Sequence, residues 1–362
     1  MISLLEQIKL EVNSGRVREF KNNDYPNLSG FNYTESCQFG KEWNEINSQC
    51  RGIIFEESNC IARPFSKFFN IEEISEDLEN KEIDYIQNKE DGSLIISYLY
   101  QDEIRFATRG SFHSEQAMLA QKIWNEKYNH KIIDRSFFKE KTLLFELIGP
   151  SNINVSRGYQ EDNLILLGMI DILSGLELPI SEVDYFAEVI LGCPRPKIFS
   201  AKTVKELYSS VKEDKNPSFE GVVVTFKDGL KVKIKSYLYI ELHKIITGSP
   251  SKDTLIELWK EYSLSRQFVF LKNMSSIPDE YFEEIKGQIR KIDDLFNSFS
   301  DKTNSVFAEM LGDYNAGMPR KDMALKWIDH RWLLSPLFSN DRNVKPILQK
   351  VFIKGYMDGD YQ

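Results

Sequence analysis

The hydrophobic period changes near residue 245, and that change divides the chain into two halves that cannot share one architecture. Up to that point LIISYLY (94–100), EIRFATR (103–109), TLLFELI (142–148), LILLGMIDIL (164–173), GVVVTF (221–226) and LKVKIKS (230–236) are short runs rich in β-branched or aromatic residues. Each is bounded by Gly, Asp, Asn or Pro and predicts a strand. Apolar residues three and four apart predict helices over 3–13, 114–129, 181–191 and 201–212 among them. Beyond 245 the helical period takes over, in 254–271, 279–299, 321–334 and 344–356. Turn formers and helix-capping residues in TGSPSKD (247–253) mark the boundary. The expectation is an α+β domain over 1–245 followed by an all-α domain over 246–362.

Composition narrows what such a chain does. Its 362 residues are 41% hydrophobic and carry a net charge of −9, from 46 Lys and Arg against 55 Asp and Glu. This is an ordinary core-forming composition. No run approaches the roughly 20 apolar residues of a membrane helix, and Glu6 and Lys9 break the opening segment where a signal peptide would be apolar. A cytoplasmic protein without membrane contact is expected. Cys37, Cys50, Cys60 and Cys193 contain no CxxC pair, and His113, His130, His243 and His330 are scattered, which argues against disulfide scaffolds and zinc sites. The acidic balance argues against a generic nucleic-acid coat but leaves room for a local basic cleft.

Chemistry concentrates at strand ends. Lys89-Glu90-Asp91-Gly92, a K-x-D-G string, directly precedes the strand at 94–100. Alone it is weak, since average composition gives roughly 0.1 chance occurrences in a chain of this length. Three further features follow in order. Glu146 interrupts an apolar strand before a Gly-Pro turn, Glu220-Gly221 opens another strand, and Lys233 and Lys235 stand two apart. Residues two apart on a strand share a face, so both ammonium groups can address one anion. Taken singly, each has an ordinary explanation as an exposed polar position or a solvated edge; the ordered set points to work on a nucleotide phosphate.

The set resembles the covalent nucleotidyltransferases, the superfamily of ATP-dependent ligases and RNA capping enzymes, and within it the phage-type RNA ligase 1 family. The strings that carry the resemblance are CRGIIFE (50–56), ARPFSKFFN (62–70), KEDGSL (89–94), RGSFHSEQA (109–117), FELIGPSN (145–152), FEGVVV (219–224) and KIKSYLY (233–239). Leu94 stands where DNA ligases and capping enzymes usually carry Arg, as it does in RNA ligase 1.

The resemblance implies a nucleotidyltransferase domain of antiparallel sheets with flanking helices, and an ATP-dependent RNA ligase that works through lysyl-AMP and an adenylylated RNA 5′ end. It implies RNA as partner, with tRNA broken in the anticodon loop as the physiological substrate, a phage source and a monomer. Lys89 is then the nucleophile. Lys233 and Lys235 hold phosphate, with Lys235 on the α-phosphate. Glu146 and Glu220 bind Mg²⁺ or Mn²⁺ through water, Glu146 also lying near the ribose. Phe31, Arg51, Lys67, Phe69, Glu90, Gly92, Arg109 and Tyr239 complete the nucleotide site. Phe31 replaces a Tyr of the family prototype and Arg109 a Lys, and Tyr33 lies two residues from Phe31. The rivals are transfer to another acceptor such as DNA, and a silent RNA- or tRNA-binding protein.

A nucleophilic lysine must be neutral. With an ordinary pKa of about 10.4, neutrality at pH 7.4 costs about 4 kcal/mol, and a cation about 4 Å away repels the ammonium by a similar amount at an effective dielectric near 20. Lys233, Lys235 or a divalent ion are therefore expected to depress the pKa of Lys89. Lys321, Lys326, Arg331 and Arg342 in the helical half read as a solvated face, and no RNA contact is assigned to them.

Overall fold

The computed structural model describes residues 2–152, 159–201, 203–216, 218–246, 250–268, 279–339 and 344–359. The chain divides into two compact units, Met1–Ile240 and Glu241–Gln362. The boundary read from sequence, 247–253, begins with residues 247–249, which lie outside the described set.

The first unit is a mixed α+β assembly of three sheets. Strands β1 (Val17–Lys21), β2 (Leu28–Tyr33), β3 (Arg51–Glu56) and β4 (Asn59–Ala62) pair in sequence order, all antiparallel. They follow a helix, Leu4–Asn13, whose start is fixed by a capping box between Ser3 and Glu6. Next come β5 (Phe69–Asn70), β6 (Ile83–Asn88), β7 (Ser93–Tyr100) and β8 (Glu103–Thr108). Gln101 and Asp102, both at positive φ, form the two-residue loop between β7 and β8. The remaining strands are β9 (Lys141–Ile148), β10 (Asn163–Asp171), β11 (Ile198–Phe199), β12 (Gly221–Phe226) and β13 (Lys231–Lys235). One four-stranded sheet runs β10-β9-β7-β8, and a five-stranded sheet runs β11-β6-β12-β13-β5.

All six strands read from sequence are present, with ends within two residues of those expected. The segment 181–191 departs from a plain α-helix. It is helical over Ile180–Tyr185, widens into a π-helix over Phe186–Leu191, and stops at Gly192 with φ 57°.

The β6 to β7 connection places the K-x-D-G string where the chain leaves the five-stranded sheet and enters the four-stranded one. The two sheets that this string joins each cover a core, and a further core is shared by the first sheet and β7 to β10. Trp124, Phe138, Phe145 and Phe106 pack in the cluster beneath β7 to β10, and Ile86, Val222, Val224, Val232 and Ile234 pack beneath β6, β12 and β13. The opposite face of that second group carries the polar residues, because pleating alternates them. Val223 pairs with Gln87 on one side and Lys233 on the other, and Gly221 pairs with Lys235. Lys233 and Lys235 thus share the face predicted for them.

The second unit is helical among the described residues. Lys252–Ser265, Asp279–Asn315, Arg320–Lys326, Leu334–Phe338 and Lys345–Asp358 are α-helices, and Ile328–Leu333 is 3₁₀. Trp259, Phe296 and Phe352 form an aromatic cluster, with ring centroids 5.0 to 5.4 Å apart. Trp259 Nε1 donates to Asp293 at 3.1 Å. The expected single helix over 321–334 is broken at Trp327 (φ −107°, ψ 41°), whose indole donates to Asp313 at 2.9 Å. Lys326 also binds Asp313, at 2.7 Å, and Arg331 Nε donates to the Ala324 carbonyl; Arg342 lies outside the described residues. Among the described residues no helix is long and apolar enough to cross a membrane.

Candidate active site

Lys89 stands at the end of β6, where its backbone N–H donates to the Gly221 carbonyl at 2.9 Å. Two glycines permit this crossing. A Cβ on Gly92 would lie 2.2 Å from the Leu147 carbonyl oxygen of β9, and one on Gly221, at φ 144°, would lie 2.0 Å from the Ile234 oxygen of β13. Both contacts are with backbone, which cannot step aside. Gly92→Ala is expected to destabilise the fold by about 1–3 kcal/mol, the usual cost of overpacking. The measurement is a lower urea midpoint at unchanged slope.

The side chains converge on Glu220, which is 3% exposed. Its Oε2 lies 2.8 Å from Lys89 Nζ and its Oε1 2.8 Å from Lys235 Nζ, so one carboxylate bridges the two lysines. Glu146, from the middle of β9, faces the same space across Leu94, its partner in the β7–β9 ladder. Asp91 is buried beneath and accepts a hydrogen bond from the Tyr239 hydroxyl at 2.7 Å. Glu90 is buried too, accepting from Asn88 Nδ2 at 2.7 Å and from the Tyr159 hydroxyl at 2.6 Å.

Above this acidic floor opens a cavity of about 650 Å³, with Arg51, Lys67, Arg109, Lys233 and Lys235 in its walls. Arg109 Nη1 donates to the Tyr33 hydroxyl at 3.0 Å. Arg51 Nε and Nη1 are buried and, among the described residues, lack hydrogen-bond partners. A buried guanidinium with unmet donors costs free energy that an anion in the cavity would recover.

The charges divide the site. Burial drives the carboxyl of Glu146 up to about 8, opposed by Lys89 and reinforced by Glu220, Asp91 and Glu90. Burial drives Lys233 down to about 7, and the cations of Lys67, Lys235, Lys89 and Arg51 add to the effect. For Lys89 burial also disfavours the ammonium, but Glu220, Glu146 and Asp91 outweigh it and hold its pKa above the ordinary lysine value. This corrects the expectation that neighbouring lysines lower it. Glu220 stands between Lys89 and Lys235 and cancels their repulsion, so the depressed lysine is Lys233.

Most of the residues expected in one site are brought together: Lys89, Glu90, Gly92, Arg51, Lys67, Arg109, Glu146, Lys233 and Lys235 line the cavity, with Glu220 at its floor. Phe31 requires correction. It is fully buried, edge-on to Phe55 with centroids 5.8 Å apart, and packs in the core under the first helix; Tyr33 lines the cavity instead. Phe69 lies outside the main cavity, in the wall of a neighbouring one. Tyr239, 2% exposed, acts from below through Asp91 and under Lys235, whose ammonium lies 5.3 Å from its ring. The sequence reading missed Gln87, whose buried Nε2 lacks a partner among the described residues, and Tyr159, since neither belongs to a recognisable string.

A basic, half-enclosed cleft over a carboxylate-bridged lysine pair, set where two largely antiparallel sheets meet, defines a protein built to hold a polyanion beside a lysine. The chain matches the family model described as RNA ligase, of the phage T4 type, over residues 49–239, more than half its length, and it belongs to that family. A protein of Autographa californica nuclear polyhedrosis virus described as a bifunctional polynucleotide kinase/RNA ligase is 26% identical over 266 residues. The match covers 66% of this chain and 37% of the viral protein, so the chain spans little more than a third of that relative. Among solved structures, a Naegleria gruberi RNA ligase mutant with AMP and Mn is similar at 18% identity and a TM-score of 0.42, over 51% of this chain and 60% of that one. A structure described as an ATP-dependent DNA ligase from Aquifex aeolicus is similar at 14% identity and a TM-score of 0.49, over 93% and 88%.

Proposed function

We propose that this protein is an ATP-dependent RNA ligase that joins a 5′-phosphate to a 3′-hydroxyl, with Lys89 as covalent nucleophile. The observation that carries the proposal is the placement of Lys89 under a cavity walled by Arg51, Lys67, Arg109, Lys233 and Lys235, inside the family-matched region. In the first step neutral Lys89 Nζ attacks the α-phosphorus of ATP, an N–P bond forms, and the bond to pyrophosphate breaks. Cations on the far side of the phosphorus stabilise the leaving pyrophosphate, and Lys235 meets the charge growing on the α-phosphate oxygens. In the second step an oxygen of the RNA 5′-phosphate attacks the same phosphorus and Lys89 departs, regaining a proton. In the third the 3′-hydroxyl attacks the activated 5′-phosphate and AMP leaves.

The donor set fits a hard divalent cation. Glu146 and Glu220 offer carboxylate oxygens, the ligands Mg²⁺ and Mn²⁺ take, with water completing the shell. When bound, such an ion would neutralise phosphate charge. Broken tRNA is the proposed physiological substrate, supported by the resemblance to RNA ligase 1.

The test is to incubate the protein with Mg²⁺ and ATP labelled at the α-phosphate, denature it, and map the label by proteolysis. Label on the peptide containing Lys89, chased by 5′-phosphorylated RNA and by nicked tRNA into joined product, is the expected result. Protein shown by mass to be free of pre-bound AMP, and still unlabelled with Mn²⁺, would overturn the proposal in favour of a silent binding protein. Label chased by DNA alone would move the acceptor.

A further inference from the structure

Lys67 lines the cleft above Lys89 and lies against two rings, Trp43 and Phe69, that belong to a second, outer cavity of about 400 Å³. Lys41, Glu73, Ile74, Ser75 and Glu76 complete the lining of that cavity. Trp43 and Phe69 are half-buried and meet edge to face, centroids 5.7 Å apart, and Tyr33 meets Trp43 in the same way at 4.9 Å. The Lys67 ammonium lies over all three rings, 5.6 Å from Tyr33, 5.1 Å from Trp43 and 5.4 Å from Phe69. Among the described residues no carboxylate lies within ion-pair distance of Lys67. The acids of the outer cavity are engaged elsewhere. Glu73 accepts from the Asn70 backbone N–H at 2.8 Å and from its Nδ2 at 2.7 Å, and Glu76 pairs with Lys81 at 3.1 Å. What the cavity offers a ligand is aromatic surface, with Lys41 in its lining and the Lys67 ammonium against the Trp43 and Phe69 rings.

We propose that this outer cavity receives the base of the 5′-terminal nucleotide of the RNA strand being activated, stacked on Trp43 with Phe69 at its edge, while its 5′-phosphate rests on Lys67. The inference rests on the ligase reading and extends it to a substrate subsite. In the AMP-transfer step Lys89 is the leaving group, so the RNA phosphate enters from the side opposite Lys89, the side vacated by pyrophosphate. Arg51, Lys67 and Arg109, which line the cleft together with Lys89, are assigned to that side. The nucleoside attached to the entering phosphate lies within one sugar of Lys67, and the Trp43 and Phe69 rings of the outer cavity lie 5.1 and 5.4 Å from the Lys67 ammonium. Stacking accepts any base, which suits a strand end of variable sequence, and losing one stacked base typically costs ten- to a hundredfold. A lysine held over ring faces keeps its charge aimed without a carboxylate to compete with the incoming phosphate.

The substrate itself supplies the test. The full-length protein, already adenylylated, is offered two 5′-phosphorylated oligoribonucleotides identical except that one lacks the base of its first nucleotide. The expected result is a kcat/KM for AMP transfer about tenfold or more lower for the abasic strand. In Trp43→Ala the two strands are expected to converge, and in Trp43→Phe, which keeps an aromatic face, the penalty is expected to return. Equal rates for both strands in the wild type, or an undiminished penalty in Trp43→Ala, would overturn the subsite. Protein that never acquires AMP from ATP fails at the earlier step, and that outcome tells against the ligase reading itself.

Discussion

Lys89→Arg protein is expected to fold normally and to bind ATP, yet to form covalent AMP at least about 10⁴-fold more slowly than the wild type. Arginine keeps the positive charge and the ion pair with Glu220, but its guanidinium stays protonated in proteins and offers no lone pair to phosphorus. The measurement is rapid-quench self-adenylylation alongside equilibrium nucleotide binding. Binding retained with labelling lost assigns Lys89 to chemistry, whereas labelling retained would move the nucleophile elsewhere, Lys233 being the first alternative. Glu220→Gln carries a companion expectation. The carboxylate of Glu220, 2.8 Å from Lys89, favours the ammonium. Removing its charge lowers the pKa of Lys89, so the rising acid limb of the pH–rate profile for self-adenylylation moves to lower pH. The maximum rate is expected to fall about 10² to 10³-fold, the range for loss of one preorganised electrostatic group. An unshifted limb would show that Glu220 does not govern the charge of the nucleophile.

The parts of this protein that were legible in the sequence are those in which one period dominates. Glu146 interrupts an apolar strand, Glu220 stands at the entrance of another, and Lys233 and Lys235 alternate with apolar residues, so that strand geometry alone brings the last two to one face. The first sheet was not legible for the opposite reason. All six residues of β2, LSGFNY, are buried, and β3 buries four consecutive residues between partly exposed ends, so neither strand alternates. Phe31 shows the limit of reading a role from a corresponding position in a family prototype. Its position in β2 turns it onto Phe55 and away from the cavity, which only the packing of the first helix against that sheet decides. The pKa of Lys89 failed similarly. Two like charges were visible in K-x-K, but the carboxylate that comes between Lys89 and Lys235 depends on the pairing of β6, β12 and β13. The helix over Asp279–Asn315 runs well past the expected end at 299, because the stop signals there are polar residues that a solvated helix face tolerates.

ATP binding in the absence of metal is expected to draw protons from solution near neutral pH, and Lys233 is the main source of that uptake. In the free protein Lys233 titrates at about 7, pushed down by burial and by Lys67, Lys235, Lys89 and Arg51 around it. A triphosphate beside it favours the ammonium and raises the pKa. Above about pH 7 the free protein therefore holds fewer protons at this position than the complex, and affinity falls as pH rises, with a limiting slope of about tenfold per pH unit until the raised pKa is reached. Below about pH 7 both forms are protonated and this dependence vanishes. Glu146, titrating at about 8, adds to the uptake in the same direction, because a nearby anion raises its pKa further. Calorimetry with a non-hydrolysable ATP analogue and EDTA, in buffers of different ionisation enthalpy, reads the proton count directly. At about pH 7.5 the expected uptake is close to one proton, most of it from Lys233. Lys233→Arg keeps the charge but fixes the proton, so its uptake falls to the fraction that Glu146 supplies. Uptake unchanged in Lys233→Arg would mean that Lys233 is already charged in the free protein, with its repulsion screened by the carboxylates at the floor of the cleft.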